Sequence, residues 1–497
     1  MEKINWHSVI KETNFCVRNF IDGQYSDCLG ESFIEKYSSR DGSLLYRFAE
    51  GTGAEVDEAV ASAKTAFDDG RWSGLSVYQR KSVLNRLAEL IETHKEEFAL
   101  YECLDVGKPI KNAYYGDTAS AAARLRNAAE NADKLLSFCG ADNGVFAYQQ
   151  RKPVGVVGAI IGWNYPLGMA AGRIAPALIM GNTVVLKPSE FTSLSACRLA
   201  ELAIDAGIPA GVLNVVHGVG NVVGDKLARH LNVDLLSFVG SSVTGKQMMI
   251  SAGQSNMKRL ILECGGKSPY IVFDDCPEDL DFIAEEIVDA AFTNQGALCV
   301  AGTRLLLQES IKDKLLPKIL AHTSKLVPQD PLQPDATFGA MVNASHMNKV
   351  LSYIDKGKLE GAELILGGKQ VNVESGGYYV EPTIFDQVDP NSTIAQEEIF
   401  GPVLSVLTFN DEAEAIQIAN NSRYGLAAYA ATQNVGRAQR LSEKLKVGYF
   451  ILMGTSMPSN GGVSLSLEGH RESGFGVEGG VEGLKAYTVS TAVNLYT

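Results

Sequence analysis

From Val154 onward the apolar and polar positions alternate between two periods. Val154–Ile161, Asn182–Lys187, Gly211–Val216, Asp234–Val239 and Met257–Leu262 are short apolar runs of strand length. Between them, the stretch after Pro166 and the segments Ser193–Ala206, Asn221–His230 and Thr244–Gly253 carry apolar residues at helical spacing. Repeated strand–helix units with apolar strands predict a parallel, doubly wound sheet. A second alternation opens at Pro269 and runs to about residue 452. The glycine pair Gly265-Gly266 between the two offers a hinge, which puts a domain boundary at Glu263–Lys267.

Upstream, Val17–Tyr25 and Ser43–Phe48 read as short strands and turns. Amphipathic helices follow at Val56–Asp69, Val77–Ile91, Lys95–Leu104 and Ala119–Lys134, interrupted by Gly107-Lys108-Pro109. The pattern then turns extended at residues 142–152 and again at Ala486–Tyr496. Two exposed ribbons with no domain of their own invite pairing with each other or across subunits.

At 497 residues and 45% hydrophobic, the chain is long enough for two or three cores. A formal net charge of −14 disfavours duplex nucleic acid and anionic membrane faces, both of which need a basic patch. Met1–His7 has no apolar run of the secretory kind. Pro153–Gly172 is uncharged but is interrupted by Asn164, Pro166 and glycines, so a strand, a loop and a helix start explain it better than a membrane span. The eight cysteines are scattered without metal spacing, as expected for a reduced, cytoplasmic protein with no bound metal.

Two stretches carry candidate chemistry. In Phe292–Arg304 a single cysteine, Cys299, sits between Gly-containing turns. In Leu262–Pro269 a carboxylate, Glu263, ends an apolar run and meets the paired glycines. A carboxylate at a strand end near an apolar interior can act as a base, and Cys299 would be the nucleophile it serves. The plainer alternatives are a buried structural thiol and an ion pair of Glu263 with Lys258 or Lys267. Asn164, in Trp163-Asn164-Tyr165-Pro166, is an amide in an apolar context, either an oxyanion donor or a turn former.

Three signals suggest a nucleotide site. Gly218-Val-Gly220-Asn-Val-Val-Gly224 resembles a dinucleotide fingerprint with one residue too many. Gly240-Ser241-Ser-Val-Thr-Gly245-Lys246 spells most of a phosphate-binding loop, but Gln247 stands where a magnesium-binding Ser or Thr belongs, which disfavours a nucleotide hydrolase. Lys187 and Glu190 close a strand in Leu186-Lys-Pro-Ser-Glu190, where they suit an adenosine ribose; the carboxylate favours NAD over NADP.

These stretches together resemble the NAD(P)-dependent aldehyde dehydrogenase superfamily, from about Phe20 to Thr488. The resemblance rests on Gly162-Trp-Asn-Tyr-Pro, Val185-Leu-Lys-Pro-Ser-Glu, Phe238-Val-Gly-Ser-Ser, Leu262-Glu-Cys-Gly-Gly-Lys-Ser-Pro, Asn294-Gln-Gly-Ala-Leu-Cys and Glu397-Glu-Ile-Phe-Gly-Pro-Val. Asn256-Met-Lys-Arg and Cys299-Val-Ala-Gly-Thr-Arg look most similar to the bacterial γ-glutamyl-aminobutyraldehyde and betaine-aldehyde-like branch. The resemblance implies an α/β fold: a Rossmann-type cofactor domain (1–134 and 154–263), a catalytic domain (264–476) and an oligomerisation arm (135–153 and 477–497). It implies a homodimer or homotetramer that oxidises an aldehyde to its acid with NAD. Cys299 would be the nucleophile, Glu263 the base for deacylation, and Asn164 with the Cys299 N–H the oxyanion hole. Trp163, Lys187, Glu190, Gly220, Gly240, Ser241, Glu398 and Phe400 would hold the cofactor. Tyr165, Met169, Gly172, Leu298, Met453 and Leu467 would line the aldehyde tunnel.

The C-terminal part departs from the family. Its usual Pro-Phe-Gly-Gly turn reads Ser466-Leu-Glu-Gly469, Met453–Gly462 stands where relatives often carry Asn and aromatics and includes the Pro/Gly/Ser-rich patch Ser456–Gly462, and Gly172 stands where relatives often place tryptophan. A wider tunnel and a bulky or aromatic aldehyde are expected. An alternative is a family member that binds cofactor but turns over poorly. Cys264, beside Glu263, is either a packing residue or an oxidation-sensitive neighbour.

Overall fold

The computed structural model describes residues 1, 4–13, 15–454 and 465–496. Five apolar strands form a parallel sheet in the spatial order Leu213–Val215, Thr183–Lys187, Val156–Ile160, Leu235–Val239, Arg259–Glu263. The chain winds outward from Val156–Ile160 in one direction and from Leu235–Val239 in the other. The order therefore reverses between these two neighbours, and such a reversal leaves a crevice at the carboxyl ends of the strands. Antiparallel additions extend both edges: Asn19–Ile21 with Gln24–Ser26 on one side, Gly474–Phe475 on the other.

A second sheet holds Glu363–Leu366, Thr383–Asp386, Val403–Phe409, Arg304–Gln308, Pro269–Val272, Ala427–Ala431 and Tyr449–Leu452 in that order, all neighbours parallel except the first pair. Its five inner strands are buried on both faces, as the uninterrupted apolar runs require, while the two edge strands stay partly exposed. Both sheets and the long helices between them make the α/β fold expected from the alternation.

Helix boundaries follow local chemistry. The first long helix starts earlier than the apolar pattern suggests, at Gly53, because Thr52 and Glu55 form a reciprocal capping box. Ser76 and Gln79 do the same for Val77–Thr93. Pro166 occupies the first turn of Pro166–Ile179, where its missing N–H costs nothing. The fingerprint-like glycines form a single π turn, Gly220–Gly224, running into the short helix Asp225–Arg229.

The two ribbons pair with each other. Val145–Pro153 runs antiparallel to Thr488–Tyr496 along nine residue pairs, with Cys139–Asp142 on its other side. Two pieces sit differently from the expected partition. The helix Gly480–Ala486, assigned to the arm, buries Leu484 in the core around the first sheet. Gly474–Phe475, assigned to the catalytic part, completes that same sheet. Short hydrogen-bonded segments take the edge that tertiary contact offers, and sequence order does not reveal it. Among the described residues no helix is long and apolar enough to cross a membrane.

Candidate active site

Most of the candidate polar residues lie at the carboxyl edge of the first sheet. Trp163 and Asn164 follow Val156–Ile160, Lys187 ends Thr183–Lys187, and Gly220 follows Leu213–Val215. Gly240 and Ser241 follow Leu235–Val239, and Glu263 ends Arg259–Glu263. Trp163 and Gly240 thus flank the crevice where strand order reverses.

Cys299 arrives from the second half of the chain on a strained turn. Asn294, Gln295 and Gly296 all adopt left-handed backbone, with φ of 53°, 57° and 71°. For the two non-glycine residues this costs on the order of 1 kcal/mol each or more, and it persists because buried bonds hold them. Asn294 Nδ2 donates to the carbonyl oxygens of Asn164 and Ala297, and Gln295 Nε2 to that of Ala340. The Cys299 thiol then donates to Glu263 Oε1 at 3.2 Å. The glycine pair makes this approach sterically allowed. A Cβ on Gly266 would lie 2.3 Å from the Cys299 carbonyl oxygen, and one on Gly265 would lie 2.2 Å from Glu398 Oε2.

The electrostatics around Glu263 involve two residues that sequence reasoning missed. Arg173, buried on the helix Pro166–Ile179, donates to Glu263 Oε2 at 2.6 Å and to Glu478 Oε2 at 2.8 Å. Burial and the Glu478 carboxylate push Glu263 up to about 7, against the opposing pull of Arg173. Burial also pushes Glu478 upward, but Arg173 and Arg124 outweigh it and hold Glu478 below the usual carboxylate range. Of the two carboxyls, Glu263 is the one that exchanges a proton near neutrality. The Cys299 thiol is raised well above its ordinary value by burial and by the Glu263 carboxylate. It rests as the thiol and needs a base to react.

Asn164 is buried and uses one amide hydrogen on the Ala297 carbonyl at 2.8 Å. Its second amide hydrogen is available to a substrate oxygen. Among the described residues no backbone carbonyl takes the Cys299 N–H. Asn164, tied to Ala297 two residues before Cys299, and the Cys299 backbone thus each keep an N–H free of the hydrogen bonds described.

The cofactor candidates form a cradle along the crevice. Lys187 is buried and donates to the Pro188 carbonyl at 2.8 Å and to the partly exposed Glu190 carboxylate at 3.2 Å. Ser241 caps the twelve-residue helix Ser242–Gly253 by accepting from the Thr244 N–H, so this helix points its amino end toward the crevice. A Cβ on Gly220 would meet nothing within 4 Å, which leaves room there. Glu398 accepts from the Gly266 N–H at 3.0 Å and is raised to about 7 by burial. Phe400 packs edge-on to Trp163, centroids 5.3 Å apart, and His346 touches both rings. His346 Nε2 lies 2.8 Å from the Phe400 carbonyl oxygen. Burial lowers His346 to about 4, so it is neutral and Nε2 carries the donated hydrogen. His346 was not foreseen, because nothing near it in sequence marks it. The donor set fits a dinucleotide: an anion-seeking helix end, a lysine–carboxylate pair for a ribose diol, and an aromatic wall.

The nucleotide-hydrolase reading fails on geometry. The helix begins at Ser242, so Gly245 lies inside it, and Lys246 pairs outward with Glu472 at 2.9 Å. No loop is left to wrap a triphosphate. Cys264 is a packing residue. It is buried, its thiol is pushed up to about 12 by burial, and a Cβ on Gly245 would lie 2.6 Å from its sulfur.

Of the tunnel candidates, Tyr165 is half-buried with the Lys108 ammonium 4.0 Å from its ring centre. The Met169 sulfur lies 3.6 Å from where a Gly162 Cβ would be, and Leu298 is buried. Gly172 does not face empty space: a Cβ there would meet Arg124 Nη1 at 3.0 Å. Leu467 pairs opposite Glu478. Met453 is exposed, and residues 455–464, the core of the expected Pro/Gly/Ser-rich wall, lie outside the described residues.

A thiol held against a carboxylate, beside a doubly wound sheet with a crevice at its carboxyl edge, is the arrangement of a dinucleotide-dependent oxidoreductase. The sequence model of the aldehyde dehydrogenase family matches residues 26–493, and the chain belongs to that family. It is 42% identical to the NADP/NAD-dependent aldehyde dehydrogenase PuuC of Escherichia coli (strain K12), across 95% of this chain and 94% of that protein. It is 43% identical to an aminoacetaldehyde dehydrogenase of Pseudomonas aeruginosa, across 92% and 91%. An indole-3-acetaldehyde dehydrogenase solved with NAD+ superposes with a TM-score of 0.97 at 44% identity, covering 99% of both chains. A γ-glutamyl-γ-aminobutyraldehyde dehydrogenase from Burkholderia cenocepacia J2315 superposes at 0.96 with 42% identity, again covering 99% of both. The chain is accordingly an NAD(P)-dependent aldehyde dehydrogenase, which oxidises an aldehyde to its acid.

Proposed function

We propose that Cys299, Glu263 and Asn164 carry the chemistry. The 3.2 Å thiol–carboxylate contact is the observation that supports this most directly. Glu263 takes the thiol proton, and Cys299 Sγ bonds to the aldehyde carbon. The carbonyl oxygen becomes an oxyanion held by Asn164 Nδ2 and the Cys299 N–H. A bound NAD would supply the hydride acceptor at this place; as the oxyanion collapses to a carbon–oxygen double bond and the hydride leaves the carbon, the acyl group stays on Cys299 as a thioester. Glu263 releases the thiol proton to solvent and, again ionised, removes a proton from water; the resulting hydroxide adds to the thioester carbon, the carbon–sulfur bond breaks, and the proton held by Glu263 returns to the Cys299 thiolate as the acid departs.

Lys187 and Glu190 hold the adenosine ribose, Gly240, Ser241 and Gly220 border the pyrophosphate, and Glu398, Phe400 and Trp163 fix the nicotinamide end. A carboxylate at Glu190 favours the free 2′-hydroxyl of NAD over the 2′-phosphate of NADP. We assign residues 1–134 and 154–263 to a cofactor domain, whose sheet Gly474–Phe475 joins at the edge, the rest of 264–476 to a catalytic domain, and the paired ribbons to an arm through which a cytoplasmic dimer or tetramer forms.

For the substrate we favour an aldehyde with a bulky or aromatic end. Arg124 lies over Gly172, and a guanidinium is attracted to an aromatic face and repels an amine. The test is NADH formation across short aliphatic, amino and aryl aldehydes, with Cys299→Ala as control. A preference for acetaldehyde or aminoaldehydes overturns the substrate reading. Full activity in Cys299→Ala overturns the nucleophile.

A further inference from the structure

One helix grips the segment that carries Glu398 and Phe400. Asn343 caps the helix Ala344–Leu359 by accepting from the His346 N–H at 2.8 Å, so His346 stands on a fixed first turn. His346, Val350 and Tyr353 follow one another at helical spacing and share one face. Each meets a different residue of Glu397–Gly401. His346 Nε2 donates to the Phe400 carbonyl oxygen at 2.8 Å, and the Tyr353 hydroxyl donates to Glu397 Oε2 at 2.7 Å. Between them, a Cβ on Gly401 would lie 2.5 Å from Val350 Cγ2.

Phe400 needs that grip. Its φ of 60° lies in the left-handed region, which a bulky side chain keeps only where its surroundings impose it. The bond from His346 pins the peptide that follows Phe400. Ring packing then holds the side chain: His346, Phe400 and Trp163 meet edge to face in all three pairings, with centroids 5.1, 5.3 and 6.3 Å apart. Trp163 comes from the edge of the first sheet and directly precedes Asn164, while His346 and Phe400 come from the second half of the chain. The same segment abuts the turn that leads to Cys299, since a Cβ on Gly296 would run into the Gly401 carbonyl oxygen.

We propose that His346 is a positioning residue for the cofactor: its Nε2–H fixes the Phe400 backbone and its ring fixes the Phe400 side chain, so that Phe400 stands as a preformed wall for the nicotinamide. This rests on the reading of Phe400 as part of the nicotinamide end. A preformed wall costs no ordering when the cofactor arrives, so its loss weakens NAD binding more than it slows the chemistry on Cys299. A neutral imidazole suits the task, because it offers one donor to the carbonyl and a flat ring to both aromatic neighbours. Glutamine offers the donor without the ring and phenylalanine the ring without the donor, so the two contributions separate.

The test is steady-state kinetics of the full-length enzyme with NAD varied at saturating aldehyde. His346→Phe should raise KM for NAD about tenfold, the loss of one hydrogen bond, while kcat falls less than about threefold. His346→Gln, which restores the donor, should bring KM for NAD back to within about threefold of the wild type. His346→Leu has neither donor nor ring; it should raise KM at least as far, and it replaces His346→Phe if that variant does not fold. Alkylation of Cys299 by iodoacetamide without NAD should run at the wild-type rate in each variant. Phe400→Ala should itself raise KM for NAD, and His346→Phe should add less than about twofold in that background. An unmoved KM in His346→Phe and His346→Leu, no recovery in His346→Gln, or additive losses with Phe400→Ala overturn the positioning role and leave the placement of Phe400 standing. An unmoved KM in Phe400→Ala overturns that placement and the proposal with it.

Discussion

The Arg173 guanidinium donates to Glu263 Oε2 at 2.6 Å, on the carboxylate oxygen opposite the one that receives the Cys299 thiol. One carboxylate is thus held on one side by a fixed cation and faces the nucleophile with the other. Arg173 also binds Glu478, so a second negative charge sits beside the base.

That geometry sets a pH dependence. Glu263 is raised to about 7, so its basic form accumulates as pH rises through about 7, and hydrolysis of the thioester should rise with it. The Glu478 charge pushes Glu263 up, so Glu478→Gln should move the acid limb of kcat to lower pH. Arg173 pulls Glu263 down, so Arg173→Met should move the limb to higher pH. A pH–kcat profile of the three proteins checks both signs, and unchanged limbs would refute the coupling.

Loss of the base should separate the two half-reactions. With Glu263→Gln, steady-state turnover should fall by about 10²–10⁴-fold. A denatured, rapidly quenched sample should then carry an acyl group on Cys299, detectable by mass spectrometry. A fall in turnover with no such adduct would place the defect before thioester formation.

Asn164→Ala should lower kcat by about 10²–10³-fold, the usual loss for one oxyanion donor. Asn164 also ties the Ala297 carbonyl, so thermal unfolding should be followed in parallel. A kcat loss larger than a small change in melting temperature explains marks the donor role.

Gly265→Ala should affect the cofactor more than the thiol. Its Cβ would meet Glu398 Oε2 at 2.2 Å and must push that carboxylate aside. KM for NAD should rise several-fold while Cys299 still reacts with an aldehyde analogue. Gly266→Ala, whose Cβ meets the backbone oxygen of Cys299 itself, should impair the nucleophile instead.

Much of this protein is written locally in its sequence. The strands of the first sheet were legible because each is a short apolar run ending at a glycine, a lysine or a carboxylate. Cys299, Glu263 and Asn164 stood out as candidates because polar groups interrupt apolar patterns at strand and turn ends, and the fold brings the first two into contact. The Gly265-Gly266 pair read as a hinge; in the fold it admits the Cys299 backbone and the Glu398 carboxylate.

The sequence by itself determined the α/β alternation, the nucleotide crevice and the identity of the groups that meet in it. Only the tertiary structure decided their electrical environment. Arg173 and Glu478 lie 305 positions apart, Arg173 and Glu263 lie 90 apart, and no local pattern links them. It also decided that the ribbons pair with each other and that Arg124 covers Gly172. The physical reason is range. Periodicity, capping and turn chemistry act between near neighbours along the chain, while charge and packing act through space between residues that only folding brings together.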